Sequence, residues 1–319
     1  MTGRNSLFGP VNPAANAGYA DPPRRKGFFT DTSICIGCKA CEVACKEWNE
    51  VPDDGFDFLG MSYDNTGSLN ADTWRHVAFI EQRKPVDGDG AGTRAPVDLG
   101  MPERHGSNGH EVQLPESGTD DDKPDFRWLM SSDVCKHCTH AACLDVCPTG
   151  SLFRTEFGTV VVQDDICNGC GYCVPACPYG VIERRKGDRA TKKNVGIAQK
   201  CTLCYDRLDA GERPACAKAC PTESIQFGDL DELRERADKR VAKLHEAGIM
   251  DARLYGNDPN DGVSGAGAFF LLLDEPEVYG LPPDPVVTTR DLPHMFNRAT
   301  TAALALFAGA VISFLGRRP

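Results

Sequence analysis

The chain lacks the basic surface that a nucleic-acid partner requires. Its net charge is −11 over 319 residues, with no long run of Lys or Arg, so no nucleic acid is expected as a partner. No G-x-G-x-x-G fingerprint follows a strand-like segment, which removes the usual dinucleotide-binding turn. No base–nucleophile constellation stands out: His137 and His140 lie in or beside a cysteine motif, where loop packing accounts for them. Arg24-Arg25 is similar to a twin-arginine export signal, but no apolar segment follows and Cys35 arrives early, so no cleavable signal peptide is expected. No cysteine is left over. All 16 fall in groups of four, at 35, 38, 41, 45; at 135, 138, 143, 147; at 167, 170, 173, 177; and at 201, 204, 216, 220. Disulfide frameworks have no reason to cluster in this way, since a bridge gains most by closing a long loop. Zinc modules use two C-x2-C pairs with a longer spacer, which fits part of the fourth group but not the first or third.

What is present is a metal-cluster pattern. Cys167-x2-Cys170-x2-Cys173-x3-Cys177-Pro178 is the run that wraps [4Fe–4S] cubanes in bacterial ferredoxins, where three cysteines hold one cube and the fourth serves another. Cys35-x2-Cys38-x2-Cys41-x3-Cys45 repeats the spacing, with Lys46 in place of the proline. Cys135-x2-Cys138-x4-Cys143-x3-Cys147-Pro148 widens it by one residue. Cys201-x2-Cys204-x11-Cys216-x3-Cys220-Pro221 widens it further. The second and third motifs are joined by a hairpin signal, Ser151–Thr155 and Thr159–Gln163 around Glu156-Phe157-Gly158. They are therefore expected to pair, giving one cluster on Cys135, Cys138, Cys143 and Cys177 and another on Cys167, Cys170, Cys173 and Cys147. By elimination the outer motifs pair, giving Cys35, Cys38, Cys41 with Cys220, and Cys201, Cys204, Cys216 with Cys45. Four [4Fe–4S] clusters in a row make a wire for single electrons. Lys192, Lys193, Lys200 and Arg207 near the fourth motif either offset cluster charge or merely solvate the surface.

The expected fold is α+β: two ferredoxin-like two-cluster modules, the inner inserted in the outer, with long loops and a single C-terminal transmembrane helix. The order is a mobile N-terminal arm (1–26), an outer module (27–85 and 181–285), a Gly- and Asp-rich inserted loop (86–125), an inner module (126–180), and a linker with a membrane anchor (286–319). Strands are expected at Phe28–Thr30, at 74–83 (WRHVAFIEQR), at Glu223–Phe227 and at 268–273. A helix is expected at 229–247, where Leu230, Leu233, Ala237, Val241 and Leu244 form one apolar stripe and Asp229 with Glu232 resembles a capping box. Prolines between 276 and 285 read as a linker. Residues 299–316 carry no charge; eighteen residues at 1.5 Å rise span about 27 Å, close to the hydrocarbon thickness of a bilayer.

Four motifs in this order resemble the iron–sulfur subunits of molybdopterin oxidoreductases. CKHCTHAACLDVCPTGSLFRTEFGTVVVQDDICNGCGYCVPACPYG at 135–180 and KCTLCYDRLDAGERPACAKACPTESIQFG at 200–228 are similar to the β subunit of formate dehydrogenase. So are RADKRVAKLHEAG, ARLYGNDPNDGVSG and EPEVYGLPPDP in the tail. Some nitrate-reductase relatives replace one cysteine by Trp, whereas all sixteen stand here. The resemblance implies an electron-transfer subunit with no catalytic site of its own. Its partners would be a molybdopterin-containing catalytic α subunit that oxidises formate to CO2, and a membrane cytochrome b γ subunit leading to quinone. It also implies a single-pass C-terminal anchor in the cell membrane, with the globular part leaning to the outer or periplasmic face and the cytoplasmic face as the alternative. The same wire serving another molybdopterin oxidoreductase or a hydrogenase is the alternative. A zinc-stabilised scaffold is the alternative of a different class.

Overall fold

The computed structural model describes residues 12–55, 64, 66–84 and 125–315. The loop expected at 86–125 lies outside them except for Asp125, as do residues 1–11 of the expected arm and Gly316. The molecule forms two compact units, Met1–Phe79 with Met130–Pro319, and Ile80–Leu129. The described part of the smaller unit, residues 80–84 and 125–129, belongs to the strands β2 (Arg75–Lys84) and β3 (Asp125–Val134). There the Arg127 Nε donates to the Gln82 Oε1 at 2.6 Å.

The larger unit is organised on a four-stranded sheet. β1 (Lys26–Asp31) lies between β8 (Ile225–Asp229), antiparallel to it, and β10 (Ala268–Leu272), parallel to it; β9 (Arg253–Tyr255) completes the order β8-β1-β10-β9. The inner strand β10 reads as a continuous apolar run, AFFLL, as a strand covered on both faces does. Every residue of β10 is buried, and so are all of β1 but Lys26. Phe29 stacks on Phe269 at 5.2 Å between ring centroids, and Phe28 meets Phe227 edge-on at 5.9 Å. α7 (Leu230–Glu246) lays its expected stripe, Leu230, Leu233, Ala237 and Leu244, against Phe29, Phe269 and Leu271. Leu233 is 1% exposed, so Leu233→Ala is expected to cost about 2–5 kcal/mol of stability. Chemical denaturation of the two proteins side by side checks this.

Two short hairpins complete the unit. β4 (Leu152–Arg154) pairs antiparallel with β5 (Val160–Val162), as the sequence indicated, and β6 (Glu183–Arg184) pairs with β7 (Ala198–Gln199). The structure refines three expectations. Asp229 sits at the N-cap of α7 but makes no cap bond; it pairs with Lys26 and Arg24, and Glu232 also goes to Arg24. Cations at and just before the start of β1 outcompete the helix's own N–H groups. From Asn12 onward the arm is draped on the fold: Asn12 caps a short helix, α1 (Pro13–Asn16), Ala14 is buried, and the Tyr19 hydroxyl donates to the Arg154 carbonyl. The proline-rich stretch is also docked, since Tyr279, Leu281 and Val287 are buried and the Val287 N–H bonds to the Gly262 carbonyl.

The last described element is α8 (Leu292–Leu315). Its 21-residue portion Met295–Leu315 has a mean hydropathy of 1.6 and is 0% buried, long and apolar enough to cross a membrane.

Candidate metal centres

Each cysteine motif continues into a short helix; the first begins directly after a 3-10 turn that ends at Ile34 and the second directly after β3. Cys41 and Cys45 lie on α2 (Ala40–Trp48), Cys143 on α3 (Ala142–Asp145), Cys173 on α4 (Cys173–Ala176) and Cys216 on α6 (Ala215–Ala219). In all four motifs the residue before the second cysteine is left-handed: Gly37 (φ 64), His137 (φ 44), Gly169 (φ 73) and Leu203 (φ 60). This reversal of the backbone curls the first two thiols around one point. It is free for glycine and costs other residues about 1–2 kcal/mol. At Gly169 there is a second constraint, because an added Cβ would stand 2.4 Å from the Gly196 carbonyl oxygen. Gly180 has φ +64 but nothing within 4 Å. Gly169→Ala is therefore expected to destabilise the protein clearly more than Gly180→Ala. Equal unfolding midpoints would contradict the close approach.

The proline after the last cysteine has a readable role. A residue before proline is confined to extended backbone. Cys177 and Cys220 precede Pro178 and Pro221 and are the C-caps of α4 and α6, with ψ of 115° and 111°. Each leaves its helix and turns away from the thiols of its own motif. Lys46 imposes no such stop, so α2 continues through Cys45 to Trp48.

Which thiols face one another follows from this. One cavity has Cys135, Cys138, Cys143 and Cys177 in its wall. A second has Cys35, Cys38, Cys41 and Cys220. Cys45 lies within electrostatic reach of Cys201, Cys216 and Cys204, and the Asn49 side-chain amide approaches both the Cys45 sulfur at 3.7 Å and the Cys204 sulfur at 3.8 Å. Cys173 is neighboured by Cys167, Cys170 and Cys147.

The electrostatics suit a cationic occupant. Burial pushes the Cys41, Cys143 and Cys201 thiols up to about 12, and neighbouring thiols add to it. Burial also holds Cys45 and Cys138 well above the ordinary thiol value. Such groups become thiolates only when a metal takes the proton's place. Cys147 is the exception: although its partial burial opposes this, N–H groups of Leu152, Thr149 and Ser151, with the Thr149 hydroxyl, hold it below the ordinary value. Among the described residues no group of three or more His, Cys, Asp or Glu converges tightly enough for a single metal ion. Four thiols line each of these two cavities, and an all-thiol donor set is the one iron–sulfur cubanes use. Two sulfurs already accept from backbone donors, the Ala198 N–H 3.5 Å from the Cys167 sulfur and the Leu203 N–H 3.3 Å from Cys201, and the Ser132 hydroxyl lies 3.2 Å from the Cys41 sulfur.

The basic residues near the fourth motif divide by burial. Lys192 and Lys193 reach Asp72 and Glu50, and Arg207 pairs with Glu212. Lys200 alone of the four meets no carboxylate among the described residues; it is 2% exposed and donates to the Val160 and Cys201 carbonyls. Sequence reasoning missed a second such cation, Arg75, which is 1% exposed. The strand alternation contains its signal, since period two puts Arg75 on the same face as buried Val77.

Comparison with known proteins adds to these findings. The 4Fe-4S dicluster domain family matches residues 126–230 and again residues 34–151. The nitrate-inducible formate dehydrogenase iron-sulfur subunit of Escherichia coli is 35% identical over 296 residues, covering 91% of this sequence and 84% of that protein. The formate dehydrogenase iron-sulfur subunit of Haemophilus influenzae is 36% identical over 262 residues, covering 81% and 68%. The thiosulfate reductase electron transfer subunit of Salmonella typhi is 35% identical over 229 residues, covering 70% and 88%.

Proposed function

Because this protein belongs to the family of formate dehydrogenase iron–sulfur subunits, we propose that it is the electron-conducting subunit of a membrane-bound formate dehydrogenase, with four [4Fe–4S] clusters on sixteen cysteines. The clusters are held by Cys35, Cys38, Cys41, Cys220; by Cys45, Cys201, Cys204, Cys216; by Cys135, Cys138, Cys143, Cys177; and by Cys147, Cys167, Cys170, Cys173. A thiolate-held cubane takes up or releases one electron with no substrate bond made or broken. The protein's own part is to fix the thiols, shield them from water and set the spacing between sites.

The observation that carries this reading is the sharing of thiol neighbourhoods across distant motifs. Cys220 lines the cavity of Cys35, Cys38 and Cys41, and Cys177 lines that of Cys135, Cys138 and Cys143. Neighbouring quartets also sense one another, Cys41 with Cys216, Cys201 with Cys135, and Cys143 with Cys173. That supports a linear order with the Cys35 quartet at one end and the Cys147 quartet at the other. Both end quartets include an exposed cysteine, Cys38 and Cys170, suited to exchange with partners. The proposed nesting of modules, 126–180 within 27–85 and 181–285, is supported by two pairings: β1 before the first motif pairs with β8 after the fourth, and β4 pairs with β5 between the inner two.

A molybdopterin catalytic subunit that oxidises formate to CO2 would deliver electrons at one end, and a membrane cytochrome b would receive them on the way to quinone. Met295–Leu315 anchors the protein in the cell membrane, with the globular part on the outer face. The second reading, the same wire in another oxidoreductase, is favoured by the likeness to the thiosulfate reductase electron transfer subunit and to a component of the anaerobic dimethyl sulfoxide reductase of Escherichia coli. Anaerobic addition of formate to the purified complex separates them. Formate should reduce the iron–sulfur centres within the assay. Centres that ignore formate and are instead reoxidised by dimethyl sulfoxide or thiosulfate would assign the wire to the second class.

A further inference from the structure

The buried cations here fall into two kinds. Lys136, Arg185 and Arg207 are 1%, 3% and 4% exposed, and each has a carboxylate, Asp133, Asp72 and Glu212. Arg75 is buried as deeply, yet no carboxylate among the described residues contacts it. Its Nη1 donates to the Ser132 carbonyl at 3.2 Å and to the Ser132 hydroxyl at 3.1 Å. Its Cζ lies 4.9 Å from the centre of the Phe28 ring. Its Nε and Nη2 are buried with no partner. A guanidinium cannot shed its charge, and a buried charge without a counter-charge is costly, so something negative must face those two N–H groups.

The surroundings supply it. Ser132 lines the Cys35 cavity and touches the Cys41 sulfur at 3.2 Å, so Arg75 stands behind that wall. It is also in electrostatic reach of Cys216, Cys201 and Cys45, three members of the next quartet. We propose that Arg75 is a potential-setting residue shared by two neighbouring clusters, its Nε–H and Nη2–H donating to the sulfur of the thiolate-held cubanes on either side. Resting on the cluster assignment above, this makes Arg75 the internal counter-charge of the junction between the Cys35 and Cys45 quartets. A cation there stabilises the more negative reduced state, and donors on sulfur act in the same direction. Both hold the two potentials up, and keeping neighbours similar lets an electron pass either way.

The test is an EPR-monitored redox titration of the anaerobically purified complex, wild type against Arg75→Met and Arg75→Lys, with iron counted per polypeptide. In Arg75→Met, two of the [4Fe–4S] centres should become harder to reduce by at least tenfold, which is about 59 mV for one electron, while the other two stay put. Arg75→Lys keeps the charge and loses the planar fork, so the same two should move less. Lys200→Met is the control at the other junction and should leave the Cys35 centre unmoved. If iron-replete Arg75→Met shows no shift, or all centres shift together, the proposal is overturned. If Arg75→Met does not load iron, the iron-replete Lys variant decides, and unchanged potentials in it overturn the proposal. A wild type with no [4Fe–4S] signal would instead overturn the cluster assignment on which the proposal rests.

Discussion

Replacing Cys220 with Ala is expected to remove the cluster of Cys35, Cys38 and Cys41 and to spare the one held by Cys201, Cys204, Cys216 and Cys45. Sequence proximity suggests the opposite, because Cys220 is only four residues from Cys216. The backbone decides otherwise. Pro221 forces Cys220 into extended geometry at the end of α6, and its thiol joins the wall of the Cys35 cavity. Cys216 stays on the helix and shares its surroundings with Cys201 and Cys204. About four of about sixteen irons should be lost, one cubane's worth, together with one EPR signal. Cys45→Ala should do the reverse, costing the Cys201 site and leaving the Cys35 site. Loss of the same signal in both variants would refute the crossing.

Deleting residues 292–319 is expected to move the iron-loaded protein from carbonate-washed membranes to the soluble fraction. The 21 residues Met295–Leu315 span about 31 Å at 1.5 Å per residue, a bilayer's hydrocarbon thickness, and none is buried against the rest of the molecule. An apolar helix left wholly uncovered in water would be a liability, so lipid or another membrane helix is its expected cover. The preceding turn is tied to the globular part, with the Thr289 hydroxyl on Asp145 at 2.6 Å and the Arg290 Nη1 on the Asp261 carbonyl at 2.5 Å. Deletion after Asp291 thus leaves these contacts and the iron content intact. A truncated protein that resists carbonate extraction would place the attachment elsewhere. A milder variant, Leu306→Arg, puts a charge mid-helix at a cost of about 2.5–3.5 kcal/mol for insertion and should weaken attachment in the same assay.

Local patterns carried much of the fold into the sequence. The β4–β5 hairpin is announced by its Gly-containing turn, α7 by its stripe, and β10 by AFFLL, since each rests on neighbours a few residues apart. The central sheet is different. β1 is bordered by strands about 200 and 240 residues away, and no periodicity encodes that choice. β3 was missed because it opens directly after a Gly- and Asp-rich stretch and reads DFRWLMSSDV, whose alternation is broken. The cysteines were legible because thiols at these spacings have few other uses. Arg75 was not, because arginine is ordinarily a surface residue; only the period of its strand places it inward. The expected capping box failed for a long-range reason, the arrival of Arg24 and Lys26 beside Asp229.

The central claim is that the sixteen cysteines hold iron–sulfur cubanes and nothing else. Iron, acid-labile sulfide and zinc counted in the anaerobically purified protein test it most directly. About sixteen irons with matching sulfide are expected, four for each of four clusters, together with brown colour bleached by dithionite. Zinc without iron, in a colourless protein with no reducible centre, would contradict the account and return the protein to the class of metal-stabilised scaffolds.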